Sequence, residues 1–286
     1  MSNILLIGNG HWGRNYVSTL ADFPDVSLQI ATRHNWKSLL DEQPDGVIIA
    51  TPPQSHIDIA HYALERNVPV MVEKPLALSL NEIKILDRFS APILVNHQHI
   101  FAPAFLKLRE IVLSWDRIDG IFTRGYGNGP FRDYSSLFDY GSHDLSMCFA
   151  LLNNQTSIDY AARMPSWHSQ GEIFDLHLNI GGVRVSAQIG NGAQNKSRYF
   201  EVFGGKETII YDDIREDKLI HNGKVVKIDR TLPLASSIET FLQLIDGKKD
   251  WRSGLELSKM IIDTLERADL SLHSEEKRMH LLLGDE

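Results

Sequence analysis

Cysteine is nearly absent from this 286-residue chain: Cys148 stands alone, which excludes an internal disulfide framework and any zinc site built on cysteines. Long hydrophobic runs are absent too, and none approaches the roughly 20 apolar residues that a membrane-spanning helix requires. Basic charge is in deficit. The 29 Lys and Arg against 37 Asp and Glu give a formal charge of −8, which disfavours non-specific nucleic-acid binding. No internal repeat, low-complexity tract or flexible linker interrupts the sequence. Met1-Ser2-Asn3 runs directly into an apolar stretch with no cationic, apolar leader, so a cytoplasmic protein is expected. What is present is ordinary for a globular chain: 43% hydrophobic and 23% charged residues, enough for one large domain or two modest ones.

Residues 1–97 alternate short apolar runs with helical patterns. The runs Ile4–Ile7, Leu28–Ala31, Val47–Ala50, Val70–Val72 and Ile93–Val95 predict parallel strands covered on both faces. Helices are predicted at Trp12–Leu20, Ser38–Glu42, Ile57–Arg66 and Leu80–Phe89, the last opened by the capping-box residues Ser79 and Glu82. Right-handed crossovers make this an α/β, doubly wound Rossmann domain. Residues 98–286 read as a second, α+β domain. Helices are predicted at Pro103–Ser114 and Asp144–Leu152, with a strand at Ile121–Tyr126 and an irregular stretch up to Tyr140 between them. Strands follow at Glu172–Ile180, Val183–Ile189, Arg198–Phe203, Thr208–Tyr211 and Leu219–Ile228. Gly181-Gly182 and Asn222-Gly223 favour tight hairpin turns, so an open, mostly antiparallel sheet is expected. The last two helical patterns are Ser236–Ile245 and Gly254–Leu272.

Gly8-Asn9-Gly10-His11-Trp12-Gly13 fits G-x-G-x-x-G between the first strand and the first helix. The first glycine permits the tight turn, the second lets a pyrophosphate approach the backbone, and the third lets helix pack on strand. This setting predicts a dinucleotide site. An acid about 20 residues further on would hold the ribose hydroxyls of NAD. The sequence there is Ala31-Thr32-Arg33-His34, with no acid; Thr32 and Arg33 suit a 2′-phosphate, so NADP is favoured over NAD, unless Arg33 is simply a solvated surface residue. Trp12 reads as helix packing rather than cofactor stacking, and Cys148, among Met147, Phe149 and Leu151, as a core residue.

Three further segments complete a pattern. Ala50-Thr51-Pro52-Pro53-Gln54-Ser55-His56 follows one buried strand, Glu73-Lys74-Pro75 follows the next, and Phe138-Asp139-Tyr140-Gly141-Ser142-His143-Asp144 opens a helix in the second half. With the glycine loop, these closely resemble the Gfo/Idh/MocA (glucose–fructose oxidoreductase / inositol dehydrogenase) family. Asn96-His97-Gln98-His99 and Ser136-Leu137-Phe138-Asp139 look most like its sugar-nucleotide 3-dehydrogenases. The resemblance implies a nicotinamide cofactor and reversible hydride transfer at a secondary alcohol of a sugar or nucleotide-linked sugar. It also implies a homodimer or homotetramer built on the open sheet. For the cofactor it points to Gly8, Asn9, Gly10, His11, Trp12, Gly13, Thr32, Arg33, Thr51, Pro52, Pro53, His56, Glu73, Lys74 and Asn96.

Lys74 lies just beyond a strand's carboxyl end, where open α/β sheets bind ligands, and its ammonium suits a developing oxyanion. By the same resemblance it is the catalytic lysine. His143 is the natural proton acceptor, and a carboxylate at Asp139 would orient the ring, although Asp139 also reads as a helix cap. Asp144 reads as a capping or first-turn acid. His97 lines the site or is a buried structural histidine, and His97-x-His99 offers too few ligands for a metal. Arg124 and Arg132 suit a substrate phosphate or a solvated surface. The chain departs from the family between His34 and Val47, where about one α/β unit is missing on the adenosine side. That gives weight to a second reading, a non-catalytic dinucleotide-sensing regulator; a third, a reductase of a non-sugar carbonyl or imine, shares the same scaffold.

Overall fold

The computed structural model describes residues 1–152, 155–248 and 252–283. The chain forms two compact units, Met1–Ala102 with Thr231–Lys259, and Pro103–Arg230 with Met260–Glu286.

The first unit holds a five-stranded parallel sheet. Its strands are β1 (Ser2–Ile7), β2 (Val26–Ala31), β3 (Gly46–Ile49), β4 (Val70–Glu73) and β5 (Ile93–Asn96), in the order β2-β1-β3-β4-β5. All residues of β3, β4 and β5 are buried, as strands covered on both faces must be, which explains their unbroken apolar runs. The crossovers are α1 (His11–Leu20), α2 (Trp36–Asp41), α3 (His56–Leu64) and α4 (Leu80–Ile83), the last continued by a 3-10 turn over Lys84–Arg88. Ser79 caps α4 as expected, its hydroxyl accepting from the Asn81 amide at 3.2 Å. Between β2 and β3 stands only the six-residue α2, as the short interval predicted. The chain moves outward from β1 to β2 and then returns to β3 on the other side of β1. That reversal opens a crevice at the carboxyl ends of β1 and β3. The sheet face carrying Ile4, Leu6, Ile48, Met71 and Leu94 packs against α1 and against α7 (Pro233–Ile245), which supplies Leu234, Ile238, Phe241 and Leu244.

The second unit contains α5 (Pro103–Val112), β6 (Gly120–Asn128), α6 (Ser136–Leu152), and strands β7 (Thr156–Met164), β8 (Ile173–Ile180), β9 (Val183–Gly190), β10 (Gly192–Gly204), β11 (Glu207–Asp212), β12 (Leu219–His221) and β13 (Lys224–Val225). The eight strands run in the order β13-β12-β11-β10-β6-β9-β8-β7; only β6 and β9 pair in parallel. α6 covers one face of this sheet and is buried along nearly its whole length, so it behaves as a core helix. Cys148 lies in it, buried as expected. The chain ends in α8 (Arg252–Leu283). Among the described residues, no helix is long and apolar enough to cross a membrane.

Several elements differ from the sequence reading: the strand expected at Leu219–Ile228 is two, β12 and β13, β10 begins at Gly192 rather than Arg198, and the last helix runs to Leu283 rather than Leu272. α6 begins at Ser136 rather than Asp144, because its first turn is capped from a distance: the Glu172 carboxylate accepts from the Ser136 amide at 2.7 Å and from the Ser135 hydroxyl at 3.0 Å. β7 was not expected at all. It is an edge strand with only Ala161 buried, so it lacks the alternation that marks half-buried strands.

The glycine loop needs glycine for backbone conformation at one position and for close contact at another. Gly8 sits at φ +107°, and a Cβ on Gly13 would collide with the Gly8 carbonyl, whereas one on Gly10 would meet nothing within 4 Å. Gly13→Ala is therefore expected to cost about 1–3 kcal/mol in urea unfolding, and Gly10→Ala no more than about 0.5 kcal/mol. Equal losses would show that the Gly8–Gly13 approach does not govern the loop.

Candidate functional site

At the carboxyl end of β1, Gly10 forms the N-cap of α1 in extended geometry and without a side-chain cap. The first amides of α1 thus have no protein side chain closing them. Asn9, Gly10 and His11 are exposed, Trp12 is half-buried, and Gly13 is buried against the turn. The open space over Gly10 and the uncapped helix end fit a pyrophosphate. At the end of β2, the Thr32 amide and hydroxyl both donate to Asn35 Oδ1 at 2.7 Å, and this closed turn leaves Thr32, Arg33 and His34 exposed.

The segment after β3 is anchored by the Ala50 amide donating to the Ile7 carbonyl at 2.8 Å, and by the Ser55 hydroxyl donating to Thr51 Oγ1 at 2.8 Å. Pro52 is exposed, and Thr51 and Pro53 are half-buried. His56 is fully buried, with Nδ1 3.0 Å from the Pro75 carbonyl and Nε2 2.8 Å from the Thr51 carbonyl. Its ring therefore ties the loop after β3 to the loop after β4. A neutral imidazole donates from one nitrogen only, so both contacts are fully made only by the charged ring. Burial pushes the His56 pKa down, while hydrogen bonding to the backbone of Thr51, Pro75 and Leu76 pulls it up.

Next to this tie lies a buried network that the sequence did not disclose. Tyr16 donates to Glu73 Oε1 at 2.6 Å; Asn96 Nδ2 donates to the same oxygen at 2.8 Å and to the Tyr16 hydroxyl at 2.7 Å. Burial raises the Glu73 pKa, and the bonds from Tyr16 and Asn96 oppose it. Burial also holds the Tyr16 phenol well above its usual value, reinforced by the Glu73 charge. Lys74, half-buried, follows directly in the chain. The signal for Tyr16 was present in outline: a hydroxyl on the buried side of α1, three residues after the last loop glycine. His97 is buried, with Nε2 3.1 Å from the Ser258 hydroxyl. Because that hydroxyl donates to the Gly254 carbonyl, His97 is the donor in the pair.

In the second unit, Asp139 and His143 are both buried in α6, one helical turn apart. Arg132 Nε lies 3.4 Å from Asp139 Oδ2. Burial and the Asp139 charge raise the pKa of Tyr134. Asp144 is not a capping acid: it sits mid-helix, receives the Thr123 hydroxyl, and presses so closely on β6 that only glycine fits at position 125. Thr123 and Gly125 face α6, so Arg124 projects from the opposite face of the strand, beside the rings of Phe122 and Tyr126 at 5.3 and 5.9 Å. The structure brings Arg132 to Asp139 and does not bring Arg124 to α6. Among the described residues, no group of three or more His, Cys, Asp or Glu could hold a metal ion.

Burial lifts the Asp144 pKa from 3.8 to about 6. An acid with a raised folded pKa binds its proton more tightly in the fold, so it lowers stability as pH rises from 3.8 to about 6 and leaves that penalty in full above this window. Asp144→Asn should remove a slope on the order of 2–3 kcal/mol between pH 4 and 7, read from urea unfolding at several pH values. Parallel curves for the two proteins would contradict this.

The family described as an oxidoreductase family with an NAD-binding Rossmann fold, Gfo/Idh/MocA, matches residues 17–91, a span that begins just after the glycine loop. Oxidoreductase P35 of Formosa agariphila is 31% identical over 102 residues, 32% of each chain, so the chain spans about a third of that relative's length in the match. A solved protein from Magnetospirillum magnetotacticum is 26% identical and superposes with a TM-score of 0.82, over 93% of this chain and 98% of that one. UDP-N-acetylglucosamine 3-dehydrogenase of Acidithiobacillus ferrooxidans shares the fold at a TM-score of 0.83 and 17% identity, over 96% and 98% of the two chains. Residues 17–91 thus match the Gfo/Idh/MocA oxidoreductase family with its NAD-binding Rossmann fold, and the chain as a whole shares the two-domain fold of the solved protein from Magnetospirillum magnetotacticum.

Proposed function

We propose that the protein is a cytoplasmic, NAD(P)-dependent oxidoreductase acting on a secondary alcohol or ketone of a sugar or nucleotide-linked sugar, with Lys74 and His143 handling the proton. The observation that carries this reading is the fixing of the backbone around Lys74: Glu73 is bound by Tyr16 and Asn96, and the Pro75 carbonyl by His56. A lysine held between two such neighbours at a strand's carboxyl end is a positioned group. Its ammonium hydrogen-bonds the reacting oxygen and offsets the charge that builds there. His143 takes the proton, and Asp139, itself beside Arg132, orients the ring. The nicotinamide, when bound, supplies the hydride acceptor or donor. A nucleotide-linked sugar agrees with the fold shared with the UDP-N-acetylglucosamine 3-dehydrogenase. A homodimer or homotetramer agrees with the sheet face turned away from α6, where Phe203 and Tyr160 are exposed.

The exposed Thr32, Arg33 and His34, without an acid, support NADP as the preferred cofactor. Parallel fluorescence titrations are expected to show NADPH binding at least about tenfold tighter than NADH, with Arg33→Ala abolishing the preference. Binding of neither at sub-millimolar concentration would overturn the cofactor reading. Lys74→Ala should leave NADPH affinity within a few-fold and lower turnover of UDP-sugars about a hundredfold or more. A wild-type chain that binds NADPH yet turns over no sugar, carbonyl or imine would instead be a dinucleotide sensor, a reading favoured by the short crossover through α2.

A further inference from the structure

In the second unit, two loops present aromatic rings to solvent. Phe131, 37% exposed, stacks on the His168 ring with centroids 4.4 Å apart and planes 26° from parallel. Trp167, next to His168 in the chain, is 69% exposed. Neither loop is loose, because Asn191 joins them. Its carbonyl accepts from the Gly129 amide at 2.9 Å, its Nδ2 donates to the Pro130 carbonyl at 3.0 Å, and its Oδ1 accepts from the Glu172 amide at 2.9 Å. The Trp167 amide donates to the Gly192 carbonyl at 2.7 Å, and the Gly171 amide to the His168 carbonyl at 2.9 Å. The Gln170 amide donates to His168 Nδ1 at 3.2 Å, which holds the ring as the neutral tautomer with its proton on Nε2. The Phe131–His168 pair is therefore a flat, uncharged surface on loops fixed by hydrogen bonds. Apolar rings held in water on such loops add little to a core and mark a binding surface.

The neighbours of the pair define what it would bind. Arg132 follows Phe131 directly, is 41% exposed, and places Nε 3.4 Å from Asp139 Oδ2. Tyr140, the residue after Asp139, donates its hydroxyl to the Gly129 carbonyl, so the same loop is fastened to the first turns of α6. Ring pair, guanidinium and the Asp139–His143 turn thus stand in series within one unit. A nucleotide-linked sugar carries the complementary series: a flat base, a diphosphate and the reacting sugar. We propose that Phe131 and His168 form the platform on which the base of a nucleoside-diphosphate-linked substrate stacks, with Arg132 against the diphosphate. This rests on the nucleotide-linked sugar reading above, and adds to it the residues that select such a substrate over a free sugar. Every base has a π-face, so the platform recognises the nucleotide and tolerates different bases.

The test is a set of calorimetric titrations of the full chain with UDP, GDP and inorganic pyrophosphate, each with NADPH at saturation so that the nucleotides do not enter the dinucleotide site. The wild-type chain should bind UDP and GDP at least about tenfold tighter than pyrophosphate. Phe131→Ala should weaken both nucleotides about tenfold and leave pyrophosphate within about twofold, whereas Phe131→Tyr should keep the wild-type affinities. His168→Ala removes the other ring of the stack and should act in the same direction, which keeps the test open if Phe131→Ala fails to fold. Nucleotides that bind the wild type and the folded alanine variants alike overturn the platform and leave the nucleotide-linked sugar reading standing. A wild-type chain that binds NADPH but neither nucleotide removes that reading, and this inference with it. If Phe131→Ala changes the oligomeric size in gel filtration and not the affinity for UDP, the rings form a protein contact and the proposal is overturned.

Discussion

Glu73 ends a fully buried strand, and a carboxylate without water must be given donors or lose its charge. The donors come from far away in sequence: Tyr16 from the helix after the glycine loop, and Asn96 from the neighbouring strand. Three elements are thereby bound at one oxygen, and their relative placement is set by hydrogen-bond geometry rather than by the more forgiving packing of apolar groups. Two residues on, the Pro75 carbonyl meets His56, whose other nitrogen reaches Thr51. The carboxyl ends of β3, β4 and β5 are thus cross-linked by buried polar side chains, with Lys74 in the middle of the run. An apolar core would be cheaper to build there. The polar one makes sense where atoms must be held in fixed directions.

The sheet itself was legible because its strands are short, apolar and separated by helices, and the glycine loop because its spacing obeys a steric rule that Gly13 and Gly8 display directly. The network was not legible, since no local pattern announces that Tyr16 will meet partners 57 and 80 residues away. The start of α6 was hidden for the same reason: its cap is a glutamate 36 residues downstream. The return of Pro233–Ile245 to the first sheet is likewise a fact of packing. Leu234, Ile238, Phe241 and Leu244 form an ordinary amphipathic stripe, and a stripe does not name the surface that it covers.

α6 shows how one helix can carry acids of different purpose. Asp139 lies in the first turn, beside Arg132, where a carboxylate is favoured by both the guanidinium and the helix end. Asp144 lies more than a turn further on, against Thr123 and the bare backbone of Gly125, and burial raises its pKa. The two were hard to separate by sequence, because both read as residues near a helix start. Once the helix begins at Ser136, only Asp139 does. The face that Arg124 takes was hidden for a related reason: in a strand, the face of a side chain is fixed by the parity of its position, and parity is known only when a neighbour's partner is known.

The two ends of the proposed cofactor site differ in physical character. Toward β2 the groups are exposed, and the short α2 buries only Leu40; it is held instead through Asp41, which accepts from the Tyr62 hydroxyl and from Arg66 Nε at 2.9 and 2.6 Å. Charge–charge contacts in that setting are weakened by salt and tolerate displacement, so they can favour one dinucleotide over another without fixing its position. Toward β4 and β5 the groups are buried and already bonded to one another, so little reorganisation remains for a ligand to impose. On the proposed reading, preference belongs to the exposed end and orientation to the buried one. A chain that shortens its β2–β3 crossover alters the first while leaving the second intact, because Tyr16, Glu73, Asn96 and His56 all come from elements outside the shortened interval.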